Sequence, residues 1–320
     1  MESELNQWVE MLHSPQVEDR LVAVKTLQHL GDEEAIEALI KALQDEEVQV
    51  QKIAITTLWE FANPQAVRPL LACLSSPHHD IREEALGALK EIVGPEDLLL
   101  ILDVLQQGNL HQQVNCLVIL RKIHDAQALP YILPFFTSEH EVLREAAVTT
   151  LRYLNQVKIC PEALLLMQDP APSVRRAVTL TLGHLGDPEA VGLLNQALTA
   201  DPDWQVRRNA AQSLTLHKQT SSIPMLTQAM QDQHWQVRKF TARALQQIAD
   251  DSALPVLINA LADEYSDVRR DAAIALGNLG NQVALNALQQ TLDDPDADVR
   301  IFSQRAMAQI RAALAEAPNV

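Results

Sequence analysis

The chain has 320 residues, and its 42 acidic side chains against 25 lysines and arginines give a formal net charge of −17. Such a charge makes nucleic acids and anionic membranes poor partners, because like charges repel unless basic groups are concentrated locally. Aromatic residues (4%) and 9 glycines are too few for an all-β chain, whereas 47% hydrophobic residues suffice for a large helical core.

The predicted helices recur along the chain with a constant period. A reference position, which reads Arg in phrases such as WQVRRN and SDVRRD, recurs every 31 residues, with one step of 32 between Arg175 and Arg207. The ten reference residues are Arg20, Gln51, Arg82, Gln113, Arg144, Arg175, Arg207, Arg238, Arg269 and Arg300. The third residue after the reference is small, and the seventh is Leu in nine repeats and Met307 in the last. Since both positions share one face of a helix, the pattern predicts ten copies of an amphipathic helix B.

A second apolar segment precedes each helix B and predicts a helix A, as in AIEALIKAL, AVGLLNQAL and ALPVLINAL. Gly31, Gly186 and Gly280 follow helix B where a glycine commonly ends a helix, and Asp203 and Asp296 are expected to cap helix B at its start. Such units bury their apolar faces only by stacking. We therefore predict an all-α fold, an α-solenoid of about ten 31-residue two-helix repeats that forms one domain over residues 1–320.

The turns between helices A and B carry a second conserved pattern within the chain. The residue six before the reference position is Asp or Ser in nine repeats and Gln107 in the fourth. We expect these residues, the reference arginines and backbone groups to form a ladder that joins neighbouring turns. The fourth repeat lacks both Asp and Arg between Gln107 and Gln113, and it is predicted to be a kink or an exposed loop.

The sequence lacks signals for export, membrane insertion or disulfide bonding. Its first residues are polar and acidic, no 18-residue apolar stretch occurs, and the cysteines form no CxxC pair. We expect a cytoplasmic protein without a membrane span. Cys73, Cys116 and Cys160 occupy apolar columns of three different repeats and are interpreted as buried core residues, the alternative being a thiol that holds iron, a cluster or a bilin.

The histidines show a weaker pattern. Five of them fall in the turns between helices A and B, namely His78, His79, His111, His140 and His234. We interpret them as turn-capping or solvated residues, with a metal site as the alternative, since metal ligands must approach one another closely. No GxSxG, HExxH or phosphate-binding glycine loop is present. We predict no catalytic residues and no metal.

The repeat unit DPDxxVRxxAAxALGxLGD resembles the short HEAT-like repeat of the phycobiliprotein lyase E/Z class over nearly the whole chain. Proteins with similar repeats include bilin lyase subunits, phycobilisome-degradation factors and single-chain IscA-interacting HEAT-repeat proteins, the last being of about this length. The resemblance implies a non-catalytic scaffold or adaptor that binds a client protein on a concave surface of B helices. The implied client is an IscA-type iron–sulfur carrier. The alternative is a phycobilin lyase subunit or bilin-handling chaperone that acts on phycobiliproteins, and only such alternatives would bring a bilin or an iron–sulfur cluster as cofactor.

Basic side chains recur outside the core columns in the second half of the chain. The residue after the reference position is basic in repeats 6 to 9, and the fifth residue after it is Arg in repeats 8 and 10. These six residues, the basic band, are Arg176, Arg208, Lys239, Arg270, Arg243 and Arg305. We predict that they bind an acidic patch on a client protein or the propionates of a bilin. The alternative is solvated arginines that pair with neighbouring acids. On the first interpretation, Arg208→Glu with Arg270→Glu should weaken client binding with little change in melting temperature.

Aromatic residues form a second candidate binding element. Trp204 and Trp235 lie three residues before the reference position in consecutive repeats, and Tyr265 is offset by one residue in the next. Trp and Tyr concentrate binding energy at interfaces, so this aromatic ridge is a candidate hot spot. The alternative is that each ring folds over the neighbouring turn. The aromatic residues of the first half, Trp59, Phe61, Phe135 and Phe136, are predicted to lie in the core.

Overall fold

A computed structural model describes the backbone from residue 2 to residue 316 and the side chains from residue 5 to residue 315. Over that range the chain forms twenty α-helices, ten short 3₁₀-helices and no strand, which confirms the predicted all-α class. None of these helices is long and apolar enough to span a bilayer. The chain divides into two compact units, Met1–Gln156 and Val157–Val320. The single solenoid domain over 1–320 stays a prediction.

Five two-helix repeats make up the first unit. Its A helices are α1 (Glu2–Met11), α3 (Ile36–Ala42), α5 (Val67–Cys73), α7 (Leu98–Gln107) and α9 (Leu129–Ile132). Its B helices are α2 (Val17–Leu30), α4 (Val48–Phe61), α6 (His79–Ile92), α8 (Leu110–Ile123) and α10 (Glu141–Leu151).

The second unit also contains five repeats. Its A helices are α11 (Pro161–Leu165), α13 (Ala190–Ala200), α15 (Ile223–Ala229), α17 (Leu254–Ala260) and α19 (Leu285–Gln290). Its B helices are α12 (Pro172–Leu182), α14 (Trp204–His217), α16 (Trp235–Ile248), α18 (Ser266–Leu279) and α20 (Ala297–Glu316). Within each unit every B helix packs against the B helix of the next repeat.

The two predicted columns of helix B lie in the core. The small residue three positions after the reference is fully buried in all ten repeats, and the seventh position is buried in all ten. A small side chain lets neighbouring helices approach closely. Gly277 of α18, next to the leucine column, shows how close the helices come: an added Cβ would lie 2.9 Å from the Cα of Ala306 in α20, so this contact accepts no larger residue without movement.

Left-handed backbone ends many of the B helices. Gly31 and Gly280 have φ of 65° and 69°, as predicted. The prediction for Gly186 is wrong, because α12 already ends at Leu182 and the N–H of Gly186 donates to the carbonyl of Lys158 at 2.7 Å. The same left-handed position is occupied by non-glycine residues after four other B helices: Ala62, His124, Lys218 and Ala249. The left-handed backbone therefore recurs at the same position of the repeat even where the residue is not glycine.

The predicted ladder is present. The Arg207 guanidinium donates to both carboxylate oxygens of Asp232 in the next repeat, at 2.6 and 3.1 Å, and to the carbonyl of Asp201 in its own turn at 2.8 Å. Four further reference arginines pair with the next repeat's aspartate in the same way: Arg20 with Asp45, Arg175 with Asp201, Arg238 with Asp263 and Arg269 with Asp294. Each ladder arginine thus ties two repeats together through charge-assisted bidentate bonds.

The fourth repeat is ordered, which corrects the expectation of a kink or an exposed loop. Helices α7 and α8 are joined by Gly108 and Asn109 alone. The Asn109 side chain accepts from the N–H of Gln112, and the Gln112 side chain accepts from the N–H of Asn109, both at 3.1 Å. This capping box replaces the aspartate of the other turns. Gly108 is required here, since an added Cβ would lie 2.5 Å from the carbonyl oxygen of Val104.

Candidate protein-binding surface

The aromatic ridge lies at the N-terminal ends of B helices in the second unit. Trp204 and Trp235 are the first residues of α14 and α16. The predicted cap at Asp203 is confirmed, because its carboxylate accepts from the N–H groups of Gln205 and Val206 at 2.8 and 3.2 Å. The Asp296 carboxylate bonds in the same way at the start of α20.

The ridge residues stack on the neighbouring turns. The Trp204 ring is 5.1 Å from the ring of His234 with 19° between planes, and the Trp235 ring is 5.2 Å from that of Tyr265 with 16° between planes. Trp204 and Trp235 are half-buried, whereas 40% of Tyr265 is exposed. Each indole therefore folds over the next repeat's turn, as the alternative interpretation expected, and keeps part of its surface accessible to a partner.

Cations of the basic band lie over aromatic rings. The Arg208 guanidinium is 5.9 Å from the Trp204 ring and 6.0 Å from the Phe240 ring, so it lies between two repeats. Lys239 lies 5.6 Å from the Trp235 ring, and Arg243 lies 5.3 Å from Phe240. These distances are those of cation–π contacts.

Phe240 and Phe302 belong to this surface although sequence reasoning overlooked them. Both occupy the second position after a reference arginine, and Arg305 lies 5.3 Å from the Phe302 ring. The sequence offers no periodic signal for them, because this position differs in residue type from repeat to repeat.

Four members of the basic band form ion pairs with aspartates. Arg176 pairs with Asp203. Lys239 is 3.0 Å from Asp267, and Arg270 is 2.7 Å from the same carboxylate. A second carboxylate, Asp271, has only 3% of its side chain exposed and accepts from Arg243 at 2.6 Å and from Arg270 at 3.2 Å. The alternative interpretation, arginines that pair with neighbouring acids, therefore describes these four side chains.

The other two members of the basic band, Arg208 and Arg305, have no carboxylate partner among the described residues. Within the described part of the chain, Arg208 and Arg305 make no ion pair, and Arg208 donates only to the neutral Asn209 side chain, at 2.7 and 3.1 Å. Because Arg208 lies beside both Trp204 and Phe240, it combines an available cation with two half-buried aromatic side chains. A carboxylate of a partner would find both charge and contact area there.

Electrostatic effects on the pKa values follow these pairs. Burial alone would lower the pKa of the Arg270 guanidinium, but the carboxylates of Asp271 and Asp267 outweigh burial and raise it. Burial alone would raise the pKa of Asp267, whereas Lys239 and Arg270 hold it below its usual value. Arg270 and Asp267 are therefore both charged near neutral pH.

A cavity of about 480 Å³ lies beside the Arg243–Asp271 pair. The aliphatic side chains of Leu216 and Ile274 line it together with the amides of Gln246 and Gln247. Leu216 is 55% exposed. The B-helix face therefore offers apolar as well as polar contacts to a partner.

The cysteines are core residues, as predicted. Burial raises the pKa of Cys73 to about 11, of Cys116 to about 12 and of Cys160 to about 11. All three are free thiols. A thiol with so high a pKa is a poor nucleophile and a poor metal ligand, since both roles need the thiolate.

The histidines and the aromatics of the first unit differ in part from expectation. His78, His140 and His234 occupy N-cap positions, but their side chains make no capping hydrogen bond. In the described residues no three His, Cys, Asp or Glu side chains lie close enough to hold a metal ion. Of the aromatics predicted to be core, Phe136 is buried, Phe61 and Phe135 are half-buried, and 42% of Trp59 is exposed. Trp59 directly follows the buried Leu58 in α4 but is itself exposed, so the prediction that it lies in the core was wrong.

Comparison with known proteins gives a family and a fold. The family model for HEAT repeats matches residues 5–90, 36–114, 129–215, 193–277 and 223–308. The crystal structure of an engineered protein, determined by the Northeast Structural Genomics Consortium, superposes with a TM-score of 0.53 at 20% identity, over 96% of this chain and 98% of that one. At that identity the likeness concerns the fold alone. No curated protein matches the chain.

The repeat period, the buried columns of helix B and the match to the family model over most of the chain agree with one another. The chain belongs to the HEAT-repeat family, whose helix pairs stack into α-solenoids.

Proposed function

We propose that this protein is a non-catalytic scaffold that binds an acidic segment of a client protein on the B-helix face of its second unit. The observation that carries the proposal is Arg208, a cation without an ion partner among the described residues, which lies between the rings of Trp204 and Phe240. HEAT repeats generally act as protein-binding scaffolds. Arginine and aromatic side chains are also the residues that contribute most to binding energy at protein interfaces.

The distribution of charge supports an acidic client segment on the second unit. Residues 157–320 contain 14 lysines and arginines against 18 acidic residues, whereas residues 1–156 contain 11 against 24. An acidic partner is therefore repelled less by the second unit than by the first. The client that the sequence resemblance suggests is an IscA-type iron–sulfur carrier, which would bind as a protein rather than as a cofactor of this chain.

The test is a binding titration with purified IscA-type carrier, with and without its cluster, followed by light scattering and calorimetry. Wild-type protein should form a complex, and Arg208→Glu should weaken it by roughly tenfold or more, because charge reversal removes one charge-assisted contact and adds repulsion. Arg311→Glu is the matched control, since Arg311 is an exposed arginine of the same unit that lies over no aromatic ring of the described residues. Equal weakening by both variants would show a general charge effect and contradict the proposed surface.

Bilin handling remains a separate proposal that derives from the sequence resemblance. In that case phycocyanobilin should change its absorption spectrum on mixing with the protein, and the cavity lined by Leu216, Ile274 and Arg243 is where we would place the open-chain tetrapyrrole. A spectral shift without carrier binding would replace the scaffold proposal by the bilin one.

A further inference from the structure

The Asp–Arg ladder is interrupted between the third and fourth repeats of the first unit. Arg82 Nη1 donates to the carbonyls of Ser76 and Pro77 at 2.7 and 3.0 Å, as the other ladder arginines do with their own turns. Those arginines also pair with an aspartate of the next repeat, but the next repeat here has Gln107, whose amide donates to Asp103 at 2.5 Å. Within the described residues no carboxylate pairs with Arg82. Its Nε and Nη2 donors are therefore left for another acceptor.

A cavity of about 500 Å³ adjoins this arginine. It lies along the B helices α6, α8 and α10. Arg82 lines it together with four apolar residues, Leu86, Leu110, Val114 and Val142, and four polar ones, His79, Glu83, His111 and Asn115. Val142 is 45% exposed, although it is a β-branched apolar residue. The cavity thus combines an apolar wall with a guanidinium and with one carboxylate, that of Glu83.

We propose that this cavity binds a peptide segment of a partner protein in which one carboxylate adjoins a branched apolar side chain. The carboxylate accepts hydrogen bonds from Arg82, in the manner of the ladder aspartates, and the apolar side chain contacts Leu86, Val114 and Val142. The ligand class is inferred from the other repeats, in which the equivalent arginine pairs with an aspartate on the turn of the next repeat. Asp45, for example, accepts from Arg20 and also from the N–H of Glu47 in its own turn.

The charge of the first unit limits what this site can accept. Its 24 acidic residues against 11 basic ones, together with Glu83 in the cavity lining, repel a strongly acidic segment. Recognition must therefore come from one carboxylate at Arg82 and from apolar contact, not from long-range attraction. The site differs in unit, residues and ligand from the surface around Arg208, and its failure would leave the proposed function unaffected.

Two fluorescein-labelled peptides test the proposal by anisotropy with the full-length chain: Gly-Ser-Asp-Leu-Leu-Ser-Gly and its twin with Asn in place of Asp. We expect the Asp peptide to bind at least roughly tenfold more tightly, because only a carboxylate forms charge-assisted bonds with Arg82. A third peptide with Ser in place of both Leu residues should also bind more weakly, since it leaves the apolar wall uncovered.

Two variants assign the binding to Arg82. Arg82→Gln removes the donors, and Gln107→Asp supplies the carboxylate that the other repeats have, so each should abolish the preference for Asp over Asn. Gln107→Asp should also keep or raise the melting temperature. A lost Asp preference in this variant would then mean that the Arg82 donors are occupied, not that the fold is damaged. Arg68→Gln, at an exposed arginine of α5 outside the cavity, should change nothing.

Three results would overturn the assignment. They are the absence of binding up to about 1 mM peptide, an undiminished Asp preference in Gln107→Asp, and tighter binding of dodecanoate than of the Asp peptide. The last result would identify an amphiphile, not a protein segment, as the occupant.

Discussion

Arg243 Nε donates to the buried carboxylate of Asp271 at 2.6 Å, from α16 to α18. Asp271 is 3% exposed and accepts a second hydrogen bond from Arg270. Much of what the sequence marks as a basic binding band is therefore an internal electrostatic network between repeats. Its side chains stabilise the packing of neighbouring repeats, and binding a partner can only be a second role for them.

Arg270 and Arg208 should differ sharply in their effect on stability. Arg270→Glu places a third carboxylate beside Asp267 and Asp271, and we expect it to lower the free energy of unfolding by about 3 kcal/mol. Arg208→Glu breaks no ion pair but removes the hydrogen bonds to the buried Asn209 side chain, so it should lower the free energy of unfolding by only about 1 kcal/mol. Denaturation in urea, followed by circular dichroism, measures both. The prediction that reversing both charges changes the melting temperature little is therefore revised: we expect most of the loss from Arg270→Glu. Equal stability of the two variants would refute this distinction.

The ladder itself should contribute measurably to stability. Arg238 makes bidentate bonds to Asp263 at 2.6 and 2.8 Å, and the two side chains are 14% and 10% exposed. Because Arg238→Ala leaves a largely buried carboxylate without its partner, we expect a loss of about 2–4 kcal/mol. Arg300→Ala is the matched control, since among the described residues Arg300 donates only to the carbonyls of its own turn. It should cost about 1 kcal/mol. Similar losses in the two variants would mean that the carboxylate pairing contributes little.

Much of this architecture could be predicted from the sequence because its determinants recur with the repeat. The small column, the leucine column and the Asp–Arg ladder each depend on residues at constant spacing, and each has the predicted environment. The cap at Asp203 is equally local. Local periodicity is sufficient to predict the fold where every repeat packs against its neighbours through the same residue types at the same positions.

The candidate binding surface was less predictable because it depends on which neighbouring residue each side chain contacts. Arg270 and Arg208 occupy equivalent positions in helix B, yet the first faces Asp271 and the second faces Asn209 at the corresponding position. The difference between a bound and an available cation lies in that one neighbouring residue. Phe240 was overlooked for a similar reason, since its column varies from repeat to repeat and shows no period.

Acid should weaken the ladder. Burial by itself would raise the pKa of Asp232, but the bidentate bonds from Arg207 outweigh burial and lower it. The hydrogen bond from Arg269 is the main cause of a lowered pKa at Asp294. Carboxyls with a lowered pKa stabilise the fold fully above the ordinary value of 3.8, and that contribution disappears as the pH falls through the lower folded values.

We therefore expect stability that changes little between about pH 7 and pH 5 and falls steeply below about pH 4. Denaturant melts at a series of pH values measure this profile. Arg207→Gln should flatten the acid limb, because the Asp232 carboxylate then has less to lose on protonation. A wild-type profile with no decline down to about pH 3 would contradict the argument.

The three thiols should be almost inert in the folded chain. Their pKa values, raised by burial to about 11 for Cys73, about 12 for Cys116 and about 11 for Cys160, leave little thiolate at neutral pH. We expect Ellman's reagent to label all three in denaturant and to label them at least about a hundredfold more slowly in buffer. Rapid labelling of any one without denaturant would mark an accessible reactive cysteine and would reopen the thiol as a ligand for a cluster or a bilin.

Ala249 offers a direct test of the left-handed helix ends. It follows α16 with φ of 52°, in the position where Gly31 and Gly280 end their helices with φ of 65° and 69°. An alanine Cβ is strained in that region, whereas glycine adopts it freely. Ala249→Gly should therefore raise the free energy of unfolding by about 0.5–1 kcal/mol, even though glycine also increases the entropy of the unfolded chain. The opposite exchange, Gly280→Ala, should lower it by a similar amount, and a pair of measurements in which both variants lose stability would show that the backbone at Ala249 is not held in the left-handed region.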